Sequence, residues 1–93
     1  MEVSAEELRR AKETAEDLLE EMGLAAYMYE VEPASGPWMV RVECAISDGG
    51  WQSVELPVAK DQLLAAGGDA RIRESLLEDW GGELEDCRRQ PED

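Results

Sequence analysis

The chain has 93 residues, with 23 acidic and 9 basic side chains, no histidine and a formal net charge of −14. A chain of this length makes one small domain with a single modest core, burying roughly 60–65% of its unfolded surface. Surplus negative charge of this size repels nucleic-acid phosphates and anionic membranes, which argues against both as direct partners, and attracts basic protein surfaces.

The opening MEVSAEELRR is charged from its second residue, so it does not read as a signal peptide. No apolar run approaches the roughly 18 residues of a membrane span. Ser4 and Glu7 have the spacing of a capping box, and Val3 and Leu8 that of a hydrophobic staple. Leu8, Ala11, Ala15, Leu18, Leu19 and Met22 form one apolar stripe at helical spacing. Gly23, followed by Leu24, is placed to end this helix as a left-handed cap.

Three alternating segments follow. Tyr27, Tyr29 and Val31 alternate with Met28, Glu30 and Glu32. Val40, Val42, Cys44 and Ile46 alternate with Met39, Arg41, Glu43 and Ala45. Val54, Leu56 and Val58 alternate with Ser53, Glu55 and Pro57. Period-two patterns of this kind mark half-buried antiparallel strands. Keeping the apolar sets on one face pairs Val31 with Val40 and Val42 with Val54, and sets Arg41 between Glu30 and Glu55. That register requires a three-residue loop at Ser47-Asp48-Gly49, with Gly49 in the left-handed position.

VAKDQLLAAGG then reads as a short helix ending at Gly67-Gly68. Asp69 can cap a further helix that buries Ile72, Leu76 and Trp80 and stops at Gly81-Gly82. The expected fold is α+β: a three-stranded antiparallel meander with one N-terminal and two C-terminal helices packed on one face, in the order α-β-β-β-α-α. The domain is expected to span residues 1–86, with 87–93 a frayed polar tail. Cys44 lies in a strand and Cys87 in that tail, so they suggest neither a disulfide framework nor a metal site, and the expected location is a reducing cytoplasm.

The sequence points away from an enzyme. Lacking histidine, it lacks the commonest general base and metal ligand. AAGGDAR has neither the lysine nor the spacing of a phosphate-binding loop. SDGGWQSVE offers only Asp48 and Glu55 toward a calcium loop. No cofactor and no metal are expected.

What stands out is where the acid lies. ETAEDLLEEMG places Glu13, Glu16, Asp17, Glu20 and Glu21 at the end of the first helix, where the helix dipole disfavours anions. The last helix repeats the pattern, with Arg71 and Arg73 early and Glu78 and Asp79 late. Solubility, salt adaptation or genome composition would each raise acidity generally. Acid set against the dipole in two helices suggests a use outside the fold. The outer sheet face is expected to show Glu30, Glu32, Glu43, Glu55 and Trp51, with Met28 and Met39. Trp38 and Trp51 could instead fold over the strand ends to complete the core.

In element order, size and acidity the chain resembles some phage-encoded inhibitors of CRISPR nucleases, which fill a DNA-binding cleft with acidic side chains. No motif accompanies that likeness, so it assigns no residue. The order is also similar to the double-stranded RNA-binding domain, but VAKDQLLAA stands where that domain has a lysine-rich helix start. The leading expectation is a non-enzymatic inhibitor or interaction protein. It would bind a basic surface, such as a nuclease or other nucleic-acid-binding protein, through Glu13, Glu16, Asp17, Glu20, Glu21, Glu30, Glu32, Glu43, Glu55 and Trp51. The alternative is a cellular interaction module or small subunit using the Met/Trp sheet face. Either could be a monomer or, through an exposed first strand, a homodimer.

Overall fold

Helix α1 (Ala5–Met22) begins where Ser4 accepts a hydrogen bond from the Glu7 backbone N–H. The Glu7 carboxylate receives Lys60, the Ser4 backbone and the Ser4 hydroxyl, and is held below its ordinary pKa, chiefly by Lys60. The helix ends at Gly23, whose φ of 70° few other residues adopt readily. Ala11, Ala15, Leu18 and Leu19 on its apolar stripe are fully buried. The computed structural model describes residues 4–24, 26–46 and 49–87. The Val3 staple, the Ser47 and Asp48 positions of the loop and the segment 88–93 lie outside the described residues.

Strands β1 (Tyr27–Glu32), β2 (Trp38–Ala45) and β3 (Trp51–Val58) form an antiparallel meander in the order β1-β2-β3. The register is the one that keeps each face consistent: Val31 opposes Val40, Tyr29 opposes Val42, and Val42 opposes Val54. Gly49 has φ 91° and donates its N–H to the Ile46 carbonyl, closing the β2–β3 turn. Trp38, Val40, Val42 and Cys44 point inward and are buried. Helix α2 (Lys60–Ala65) follows, and then α3 (Ala70–Glu83), which Asp69 caps by accepting from the Arg71 and Ile72 N–H groups. The architecture is therefore α-β-β-β-α-α, an α+β fold, with the core between the sheet and the helices.

Three expectations are corrected. Helix α3 does not stop at Gly81-Gly82 but runs through both to Glu83. Neither glycine takes a positive φ, and the next residue, Leu84, is fully buried with its N–H on the Trp80 carbonyl. Two mid-helix glycines cost about 2 kcal/mol, while burying a leucine gains roughly 1.5–3 kcal/mol and the buried Cys87 adds to it, so burial carries the chain past the glycines. Second, Cys87 is no frayed residue: it closes a 3₁₀ turn, η1 (Glu85–Cys87), and is fully buried. Third, Cys87 is disulfide-bonded to Cys44, with 5.5 Å between the Cα atoms. The continued helix returns Cys87 to the inner face of β2, a meeting that a separation of 43 residues conceals. With the bond present, cysteine usage no longer points to a reducing compartment.

Candidate protein-binding surface

The five acids of α1 are all exposed, but they differ in their neighbours. Glu13 pairs with Arg9 at 2.8 Å and Glu21 with Arg73 at 2.6 Å. Glu16, Asp17 and Glu20 make no ion pair among the described residues, and the last turn of α1 carries no basic residue. The unpaired negative charge in the second half of this helix therefore lies at three positions, of which Glu20 is in the last turn, at the negative end of the dipole.

The outer sheet face is organised around one cation. Arg41 Nη2 lies 3.2 Å from Glu55 Oε2 and 3.2 Å from Glu32 Oε1. Arg41 faces Glu30 in the register, as expected, yet its close partners are Glu55 and Glu32, and Glu30 acts only at longer range. The hydrogen bond to Glu55, followed by the charge of Glu32, raises the guanidinium further above its ordinary pKa. Glu43 is exposed with no ion pair among the described residues. The two tryptophans divide by strand parity. Trp38 is an inner residue at 1% exposure, whereas Trp51 is 58% and Met28 59% exposed on the outer face.

The ten predicted residues divide between α1, with five, and the strands, with five. The apolar stripe of α1 joins the core on the inner side of the sheet, while Glu30, Glu32, Glu43, Glu55 and Trp51 lie on the outer face. The two groups approach each other beside β1, where Glu16 and Glu20 act on Tyr27 and Tyr29. There Tyr29 donates its hydroxyl to the Lys12 carbonyl at 3.4 Å, linking the strand to the exposed flank of α1. A shallow groove lined by Lys12, Tyr29, Glu30, Val31 and Glu32 runs beside the strand. The phenols of Tyr27 and Tyr29 are pushed above their ordinary pKa, first by burial and then by neighbouring negative charge, including Glu16 and Glu20.

Sequence reasoning missed a second groove, between β3 and α3, lined by Glu55, Asp79, Glu83 and the flank of Trp80, among others. Nothing in the local sequence reports that Glu55 and Asp79 share a groove, because the contact depends on how α3 crosses the sheet. Among the described residues no group of three or more acidic or cysteine side chains is placed to hold a metal ion. None of their helices is long and apolar enough to cross a membrane. No protein-family model, curated protein or solved structure matches the chain.

Proposed function

We propose that the protein is a non-enzymatic inhibitor or interaction protein that binds a basic, nucleic-acid-handling protein, with its carboxylates taking positions that phosphates would occupy. The observation that carries this reading is the exposed trio Glu16, Asp17 and Glu20, unpaired among the described residues. Glu20, in the last turn, also opposes the helix dipole, at a cost of about 0.3–1 kcal/mol. A rigid helix presents them at fixed spacing, and complementary fields speed encounter with a cationic cleft. Phage-type inhibitors of CRISPR nucleases work by this physics, and a nuclease cleft is one such target.

The test is capture from host lysate at low and high salt, using the wild-type chain and a Glu16→Gln, Asp17→Asn, Glu20→Gln variant. A nucleic-acid-binding protein held by the wild type at low salt, and lost with either change, supports the reading. A partner retained equally by the variant and at high salt overturns it. The exposure of Met28 and Trp51 favours a second reading, a module that docks through the outer sheet face. In that case salt changes affinity little and Trp51→Ala abolishes binding.

A further inference from the structure

We infer that the free edge of β1 accepts an extended lysine- or arginine-rich segment of the partner as a fourth strand. This rests on the proposed acidic-surface reading and specifies how that surface is used. The Ala45 N–H donates to the Ala26 carbonyl across the β1–β2 ladder. In an antiparallel pair the bonded positions alternate, so Met28, Glu30 and Glu32 also face β2. Tyr27, Tyr29 and Val31 then turn their N–H and C=O groups to the open edge.

The two edges of the sheet are not equivalent. The Ile46 N–H donates to the Gly50 carbonyl, so the even-numbered residues of β3 face β2 and the odd-numbered ones face out. One outward position is Pro57, which has no N–H to offer, and an interrupted edge is a poor template for another strand. β1 carries no proline, no lysine and no bulge in its register. What it does carry is acid on both sides: Glu16 and Glu20 of α1 toward the inner face, Glu30 and Glu32 toward the outer. Beside these four carboxylates, Lys12 lines the groove and Arg41 already holds Glu32.

The occupant follows from that arrangement. A second copy would bring a net charge of −14 to the same edge and align its own Glu30 and Glu32 with these carboxylates. A basic strand gains from both flanks, because its alternate side chains point to opposite faces and reach the inner and outer acids in turn. This also gives one use to the acids of α1 and those of the outer sheet face together.

The experiment titrates the ¹⁵N-labelled full chain with a blocked eight-residue peptide of two Lys-Lys-Thr-Thr repeats, which sets lysine on both faces of a strand. Its comparators are the same peptide N-methylated at every residue, so that neither edge keeps its N–H donors, and a glutamate version. The expected result is exchange protection of the Tyr27, Tyr29 and Val31 amides by the lysine peptide, at least tenfold weaker binding of the N-methylated peptide and none of the glutamate one. Equal binding of the N-methylated peptide, with shifts spread over α1, would overturn strand addition and leave the acidic-surface reading standing. No binding of the lysine peptide overturns it too, as does concentration-dependent protection of those amides without peptide, which would mark the edge as a contact between copies. Failure of the acidic-surface reading shows separately, as a natural partner indifferent to the Glu16, Asp17 and Glu20 changes.

Discussion

Glu16 and Glu20 are where a single side chain has the clearest measurable consequence. Both raise the pKa of Tyr27 and of Tyr29, with burial the first cause at each ring. A raised phenol pKa means the fold prefers the neutral ring. The associated stability is present below the unfolded value near 10 and declines as pH rises through the folded value. Glu16→Gln with Glu20→Gln should therefore shift the phenol titration back toward 10, read as absorbance at 295 nm. An unchanged curve would mean that burial alone sets it. Glu7 behaves in the opposite sense. Lys60 and Ser4 lower its pKa, so its contribution is present above the unfolded value of about 4.5 and is lost as pH falls through the folded one. Replacing Lys60 with Met should move the Glu7 titration, followed by carboxyl NMR, up toward 4.5. Glu20→Gln should also raise stability by a few tenths of a kcal/mol in thermal melts, since it removes an anion from the end of α1. A residue that stabilises the fold when neutralised, yet weakens partner binding, is one kept for binding.

Elements were legible to the extent that their signals were local. The capping pair Ser4 and Glu7, the left-handed Gly23 and the strict alternation of three strands fix α1 and the sheet register, because each rests on neighbours within a few residues. Trp38 shares the parity of Val40 and Val42 and Trp51 that of Ser53 and Glu55, so alternation alone separates the buried ring from the exposed one. The end of the chain was not legible. Gly81-Gly82 carries a local stop signal, and the competing term is the burial of Leu84 and Cys87 against a distant strand. Nor does any local pattern show that Glu16 and Glu20 of α1 act on Tyr27 and Tyr29 of β1. The disulfide makes this element-level interaction testable. Closing a loop of this length stabilises by roughly 2–4 kcal/mol. A Cys44→Ala, Cys87→Ala variant should then melt on the order of 10–20 °C lower, with the amides of η1 the first to lose exchange protection. A melting point unchanged by the double substitution would show that η1 docks without the bond. At the β2–β3 turn, Gly49→Ala places a Cβ at φ 91° and should cost about 1 kcal/mol in chemical denaturation.

At the scale of the whole molecule, the surplus charge acts on two equilibria with opposite sign. The six ion pairs among the described residues are largely solvent-exposed and individually worth little. The net charge of −14 meanwhile makes every compact state repel itself. Raising monovalent salt to 1 M shortens the screening length to about 3 Å and relieves that repulsion. The melting temperature should therefore rise with salt, by several degrees between 0.02 and 1 M. The same ions screen the attraction to a cationic cleft, so partner affinity should fall over the same range, by at least an order of magnitude if several carboxylates engage. Acid kept only for solubility would produce the first trend without the second. Measuring both on one preparation, by thermal melt and by binding isotherm, separates a charge that merely dissolves the protein from one that recognises a partner.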